Sequence, residues 1–525
     1  MTEDPNAAGS GPAPPPRRWE APCPNCGAAV PFASPSSPYA VCGYCRSTVV
    51  RDGDSLKKIG ESAELIDTRN RLQIGVRGAH AGRPFVLVGR VQYEYGEARE
   101  ITSASLDGRW SEWHAAFDDG RHGWLSEDND QYVMAFDRDD HGGAPPSGML
   151  DFGGPLQLAS GEWRVASIVH GRASAAEGEL PSLPGLGDTR IIADLRNSQG
   201  QVATLDYQDP RTPTLSIGEP VRLAELQLQG LRDDAGLGVA KVGGRSFACP
   251  NCAATIEVQR DDTRSLSCRA CHSVVDLSAG IGGELSAWQQ GDRYEPAIPL
   301  GSVGRLAFGG RPAVAWQVLG FSVKGANLQD PDEAFSWNDY LLHNLDEGFA
   351  FLVDSSEGWV AFRTLSGVPE GIRGGDFRDV SWQGRRYRLS ERYTAVVQYV
   401  EGEFYWPLRR HQSTLTADYQ GLGSASASRL SSETSDSEVI WSEGSVVPAE
   451  AVRKGFGLKS LPPKLAQTRH DIGPVSSDRD GSSSWATTLL WIVVIAAVIY
   501  IDYYLDDDDS YGGSGGYSYR SGGHK

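Results

Sequence analysis

The chain has 525 residues, 40% hydrophobic and 22% charged, enough for three or four ordinary domains with apolar cores. Its net charge of -19 excludes the general nucleic-acid binders, which need a basic footprint. Its eight cysteines fall into two matched sets of four, a usage that fits metal thiolates in a reducing compartment.

The start, Met1-Thr-Glu-Asp-Pro5, has no basic opening and no apolar run, so no secretory signal is expected. Residues 1–18, rich in Pro, Gly and Ala, read as a disordered lead-in. Next comes Cys23-Pro-Asn-Cys26, fifteen residues, then Cys42-Gly-Tyr-Cys45. A CxxC turn sets two sulfurs on one side of a tight knuckle, and two knuckles present four. Four thiolates suit Zn2+, and with four protein ligands no position remains for water or substrate, so the site is structural. The spacing falls in the structural zinc pattern, which predicts a zinc ribbon over 19–54. Gly27 and Gly43 suit a turn whose amides approach sulfur closely. Disulfides or redox-active CxxC pairs are the alternatives, but redox pairs sit beside a βαβ pattern that is absent here. Around this ribbon Arg17, Arg18, Arg46 and Arg51 exceed Glu20 only slightly, which is no phosphate-tracking surface.

Residues 55–231 read as a β domain. Val91, Tyr93 and Tyr95 alternate with Gln92 and Glu94, the period of a half-buried strand. Phe85–Val88, Gln131–Phe136 and Trp163–Val169 are further strands, divided by turn clusters at Asp118–Gly120 and Asp139–Gly143. A linker over 232–245 leads to Cys249-Pro-Asn-Cys252, fifteen residues, and Cys268-Arg-Ala-Cys271, a second zinc ribbon over 246–279. His272 follows Cys271 but is a bystander where four thiols already suffice. The charges near this ribbon balance, with Arg245, Arg260, Arg264 and Arg269 against Glu257, Asp261, Asp262 and Asp276. A second β domain covers 280–461, with strands at Pro312–Leu319 and Tyr393–Val400.

The two halves keep one register. Cys23 and Cys249 are 226 apart, Gly82-Arg-Pro84 and Gly310-Arg-Pro312 are 228 apart, and Trp110-x-Glu112-Trp113 and Trp337-x-Asp339-Tyr340 are 227 apart. Trp124-Leu125-x-Glu127 matches Phe351-Leu352-x-Asp354 at 227, and Glu177-Gly-Glu179-Leu180 matches Glu401-Gly-Glu403-Phe404 at 224. Ala193-Asp194-Leu195 matches Ala417-Asp418-Tyr419 at 224, and Gly230-Leu231 matches Gly457-Leu458 at 227. The protein is one cassette, ribbon plus β domain, written twice.

These motifs resemble the bacterial domain of unknown function 4178 family, over both β domains. The resemblance implies a zinc ribbon, a membrane segment, and a place beside polyamine-synthesis and phage-shock-type membrane-stress systems. It implies no activity and carries over no catalytic residue.

Residues 462–484 read as a linker, and 485–505 as a transmembrane helix. From Gly481 to Ile501 no residue is charged, and these 21 residues rise about 30 Å, the thickness of a bilayer core. Trp485, Tyr500, Tyr503 and Tyr504 mark its ends, and Trp491 lies deeper. Asp506–Asp509 and a Gly/Ser/Tyr stretch, 506–525, form a disordered tail.

The carboxylate pairs Glu177/Glu179 and Glu401/Glu403 can converge on one strand face and serve an enzyme or a cationic ligand. The alternative is a turn at Gly178 or Gly402 with solvated carboxylates. Trp110, Trp113 and Trp124 line a ligand pocket or fill a core. His114, His122 and His343 have no partner in the other repeat, which argues against a shared histidine mechanism. No phosphate loop, dinucleotide fingerprint or nucleophile elbow occurs. The expectation is a mostly β protein: two zinc ribbons holding two structural Zn2+ and two barrel- or sandwich-like domains. One C-terminal helix would tether it to the inner membrane, with the N-terminal bulk in the cytoplasm. It would act without catalysis as an adaptor for a protein partner, and a small cationic ligand is the second candidate. Nucleic acid is disfavoured.

Overall fold

The computed structural model describes residues 19–461 apart from 33, 35–36, 53–54, 63–70, 98–105, 184, 233–244, 261–262, 279–284, 292, 327–334, 357, 372–376 and 409–411. The proposed N-terminal lead-in, the linker over 462–484, the membrane helix and the tail lie outside them, as does the linker over 232–245 apart from its first and last residues. Among the described residues no helix is long and apolar enough to cross a membrane.

The first β domain has eight barrel strands: β1 (Arg83–Gly96), β2 (Gly108–Phe117), β3 (His122–Asp128), β4 (Gln131–Asp137), β5 (Gly161–Leu180), β6 (Arg190–Arg196), β7 (Val202–Asp209) and β8 (Thr212–Val221). They form two antiparallel meanders, β1 to β4 and β5 to β8. β4 pairs with β8 and β1 pairs with β5, so the sheet closes on itself. Closure depends on the 20-residue length of β5. It pairs with β6 over Arg164–Gly171, with β1 over Arg172–Gly178, and with the ribbon over its last three residues.

The second domain repeats this plan with β9 (Val314–Ala326), β10 (Ser336–Asn344), β11 (Gly348–Ser355), β12 (Gly358–Thr364), β13 (Arg385–Phe404), β14 (Ser413–Gly421), β15 (Ser428–Thr434) and β16 (Val439–Val447). β12 pairs with β16 and β9 pairs with β13, closing a second eight-stranded barrel. The duplication is thus one of topology as well as sequence. Trp110 and Trp337 sit on equivalent strands β2 and β10, and Glu179 and Glu403 on β5 and β13. The offset between the repeats is widest in the first strand. Gly89 faces Gly178 as Gly320 faces Gly402, so β1 and β9 are offset by 231, and β2 and β10 return to 227.

Much of the outer face of each barrel wall is covered as well as the inner one, although stretches of β8 and β13 keep one face exposed. The outer face of barrel 1 packs Phe85, Trp113, Leu125 and Met134 under Leu72, Val76 and Leu226, and Trp163, Leu195 and Leu205 under Ala144 and Leu158. In barrel 2 the outer face lies under Ile298, Leu306 and Val452 of the short helix Ala449–Gly455, and under Val368, Val380 and Trp382. This corrects the expectation of a half-buried strand at 91–95. Val91, Gln92, Tyr93 and Glu94 are all buried, because covering segments shield the outside while the inside faces a lumen.

The lumens are polar and acidic. Glu112 on β2 and Asp206 on β7 lie four strands apart round the ring, yet their charges interact across it. Burial pushes the Glu112 carboxyl up to about 7 against the lowering Trp110 indole N–H. On the outer face burial does the same to Glu127, also to about 7, against the Trp113 indole N–H. Both acids are therefore more protonated in the fold than in the unfolded chain between their ordinary value of 4.5 and about 7. Stability should fall as pH rises through that window. Thermal melts between about pH 5.5 and 8 should show this fall, and a Glu112→Gln/Glu127→Gln variant should flatten it. An unchanged slope in the variant would refute the assignment.

Candidate metal centres

Each ribbon is built from two hairpins with a knuckle at each tip. In the first, Trp19–Pro22 pairs with Ala29–Phe32, and Tyr39–Val41 with Ser47–Asp52. In the second, Arg245–Ala248 pairs with Thr255–Val258, and Ser265–Ser267 with Val274–Asp276. All four knuckles share one hydrogen-bond pattern. The amides of Gly27, Arg46, Ala253 and His272 donate to the carbonyls of Cys23, Cys42, Cys249 and Cys268 at 2.8–2.9 Å. Those four residues, each directly after the second cysteine of its pair, have φ of 78°, 58°, 62° and 58°. Gly27 therefore has the expected role. Gly43 does not, since the left-handed position falls at Arg46, and His272 is a knuckle residue outside the sulfur cluster.

The sulfurs converge. Cys23 and Cys45 Sγ are 3.6 Å apart, Cys26 and Cys42 3.7 Å, Cys249 and Cys271 3.7 Å, and Cys252 and Cys268 3.8 Å. In each cluster all four lie within 4.8 Å of one another, and each cluster can hold one metal ion. The eight cysteines are free thiols, not disulfides. Four clustered thiols do not share charge evenly. Hydrogen bonds from Ser47 and Asn25 pull Cys45 down to about 5. Cys26 is lowered by the Ala28 amide, but desolvation and its three sulfur neighbours outweigh that and push it up to about 12. A cation at the centre would relieve this imbalance. The second cluster repeats it, with Cys271 lowered to about 5 and Cys252 raised to about 12.

The Glu-Gly-Glu segments are the hinges between ribbon and barrel. The ribbon's second hairpin continues the long barrel strand, with Ala40 opposite Glu179 and Leu266 opposite Glu403. Glu179 Oε2 accepts from the Ser34 amide at 2.9 Å. Glu403 accepts from the amides of Gln259 (2.9 Å) and Arg260 (3.3 Å) and from Thr263 Oγ1 (2.7 Å). Both carboxylates are buried and tie down the loop between the two knuckle hairpins. There is no turn at Gly178 or Gly402: the strand runs through them with φ of 71° and 100°. A Cβ there would lie 2.3 Å from the Val88 carbonyl oxygen or 2.2 Å from that of Leu319, so only glycine fits. Positive φ also breaks the strand alternation on which the converging pair was argued.

The other candidates separate. Trp113 is on the outer face, while Trp110 stacks on Tyr93 at 4.7 Å on the lumen side, and Trp124 donates to Asp137. His114 donates through Nδ1 to the Glu179 carbonyl at 2.8 Å and lies 2.7 Å from His122. His114 is fully buried, and burial pushes it down to about 4, so it is neutral and part of the same hinge. Arg51 stacks on Trp19 at 4.2 Å, which is a packing role. Sequence reasoning missed Asp130, in the β3–β4 turn of barrel 1. It sits 2.8 Å from Arg260 of the second ribbon and 2.9 Å from His343 of barrel 2. This junction between the repeats carries no sequence signal, because it is formed by three residues spread over more than two hundred positions.

Comparison with known proteins adds one finding. Neither curated proteins nor solved structures returned a match. A family model described as Domain of unknown function (DUF4178) matches residues 73–223 and 311–449, which contain every strand of the two barrels and together make up more than half of the 525 residues. The chain, with its two barrels and two four-cysteine clusters, belongs to the DUF4178 family.

Proposed function

We propose that this protein is a non-enzymatic, membrane-tethered adaptor whose two zinc-loaded modules bind a protein partner. The observation that carries the reading is the fate of the Glu-Gly-Glu carboxylates. They were the best catalytic candidates, and Glu179 and Glu403 are spent on holding ribbon to barrel. This favours a rigid recognition unit over an enzyme or cation sensor working through those carboxylates. Two linked modules raise the effective concentration at a shared target. Zinc is the metal that fits: four bonds of about 2.3 Å in a tetrahedron give sulfur edges of about 3.8 Å, close to the 3.6–3.8 Å separations. The charge-free stretch at 481–501 supports a single membrane pass. Lys464, Arg469 and Arg479 precede it and four aspartates follow, which favours a cytoplasmic N-terminal bulk at the inner membrane. A place beside membrane-stress or polyamine-related systems rests on the family resemblance alone.

The tether makes a direct prediction. The full chain should sediment with membranes and resist alkaline extraction, and deleting 485–505 should release it. A reporter active only outside the cytoplasm should be active after Lys525 and silent before Met1. The opposite pattern would overturn the topology, and a soluble full chain would overturn the tether. The adaptor reading is tested by capture from solubilised membranes with an N-terminal tag. A stoichiometric protein partner lost on deleting either module supports it. Recovery of the chain alone counts against it.

A further inference from the structure

We infer that the lumen of the second barrel is a binding site for an organic ammonium ion. The inference is independent of the adaptor reading and concerns the inside of the barrel.

Six side chains from five strands meet there: Lys324 on β9, Asp339 on β10, Tyr393 on β13, Thr416 and Asp418 on β14, and Glu433 on β15. Lys324 Nζ lies 2.9 Å from Asp339 Oδ2 and 3.4 Å from Glu433 Oε1, three strands away round the ring. Asp418 Oδ2 accepts from Tyr393 Oη at 2.7 Å, and Ser431 also bonds to this carboxyl. Three carboxylates thus share the lumen with one ammonium, which pairs with two of them.

The hydrogen-bond account is incomplete. Asp339 Oδ1, Asp418 Oδ1 and Thr416 Oγ1 are buried and have no partner. Their residues are 7%, 4% and 3% exposed, and all three line a cavity of about 1110 Å3 that extends from the second barrel to residues of the first, Glu112 and Asp194 among them. Buried acceptors left open are rare, and these two carboxylate oxygens ask for donors carrying positive charge.

The first barrel serves as an internal comparison. It keeps acids at the matched positions, Glu112 for Asp339, Asp194 for Asp418 and Asp206 for Glu433. There Trp110 donates to Glu112, Thr204 to Asp194, and Arg190 pairs with Asp206 at 3.0 Å. The indole and hydroxyl donors are shared as well, since Trp337 bonds to Asp339 and Ser431 to Asp418. The internal cation has moved. Tyr93 occupies the rung of Lys324, and Arg190 enters from β6 where barrel 2 has Thr414. The acid set is therefore shared by both repeats while the cation answering it differs: among these acids barrel 1 leaves only Asp206 Oδ1 buried without a hydrogen bond, with Arg190 3.0 Å away, whereas barrel 2 leaves Asp339 Oδ1 and Asp418 Oδ1 open together with Thr416 Oγ1.

Two features select the class of ligand. Among the described residues, only the two cysteine sets gather ligand atoms as a metal ion requires, and the lumen acids do not. Lys324 between them would also repel a divalent cation. The walls are aromatic and apolar: Phe335, Trp337, Val353, Phe362 and Tyr393 pack into one lumen cluster. Such walls suit an alkyl chain and the face-on approach of an ammonium group. Lys324 itself is an alkylammonium already held by this lumen.

The test is calorimetric titration of the zinc-loaded full chain in detergent with hexylammonium, hexamethylenediamine, tetramethylammonium and magnesium chloride. One saturable site for hexylammonium or the diamine is expected, with tetramethylammonium about tenfold weaker or more because it has no N–H to donate. Asp418→Asn and Thr416→Val should each weaken the amine about tenfold, and Glu112→Gln in barrel 1 should leave it unchanged. Two zinc per chain and an unshifted melt certify that a variant is folded. If Asp418→Asn does not fold, Thr416→Val decides alone. No saturable amine binding would mean that only water fills the lumen, and would overturn the inference. So would equal binding of tetramethylammonium or magnesium, or affinity unchanged in the folded variants.

Discussion

Replacing Cys42 or Cys268 with Ser should remove one metal ion per chain and unfold the ribbon that held it, leaving the other ribbon intact. The expected loss is large because these ribbons have almost no other core. In the first, Cys23 and Cys42 are themselves core residues, beside Ala21, Val30, Phe32, Ala40, Val49 and Leu56. Small zinc modules draw on the order of 10 kcal/mol or more from the metal, and a cluster this size cannot replace it. The unfolding should stop at the barrel. The hairpin Tyr39–Val41 is laddered only to the last three residues of β5, and the barrel closes through Arg172–Gly178 of that strand and through β4 with β8. Metal analysis should give two zinc in the parent chain and one in each variant. Hydrogen exchange in Cys42→Ser should lose protection over 19–32 while 245–276 stays protected. Two zinc retained in the variant, or joint loss of both ribbons, would refute independent structural sites.

The cysteine sets and the repeat were legible because each is a matter of identity and spacing. Four knuckles need only their cysteines and one residue able to take positive φ, and Gly27 was the single visible sign of the latter. Barrel closure was not legible. It depends on β5 and β13 running straight through Gly178 and Gly402, residues that in isolation read as turns. It also depends on strands buried on both faces, as Val91 to Glu94 show, which removes the polar and apolar alternation that marks a strand with one face in water. The lumen acids were hidden for the same reason. Asp194 and Asp418 were found only as repeat markers, since an acid on a strand ordinarily faces solvent. Glu179 and Glu403 were found as a pair and misassigned, because their partners are backbone amides some 140 residues away.

Lys324→Met should be among the most destabilising single substitutions in the second barrel, by about 3–5 kcal/mol. Lys324 contributes the ammonium that answers Asp339 and Glu433 inside the lumen. Methionine keeps most of the side-chain volume, so the loss isolates charge from packing. It leaves Asp339, 7% exposed, without a counter-charge. Burial already raises the Asp339 carboxyl even with Lys324 pulling it down, and removing Lys324 lets burial act unopposed. The sign of the pH dependence follows. In the variant the folded state binds a proton at Asp339 that the unfolded chain releases near its ordinary carboxylate value of 3.8. The deficit against the parent should be full at neutral pH and shrink as pH falls toward that value. The fall in melting temperature at pH 7.5 should be about 10 °C, and smaller at pH 5.5. Adding Asp339→Asn removes the stranded charge, and the double variant should recover much of the loss, a coupling that a packing defect would not produce. A double variant no more stable than Lys324→Met alone, or a deficit that grows in acid, would show that Lys324 is held by its chain contacts and that the lumen charges do not answer one another.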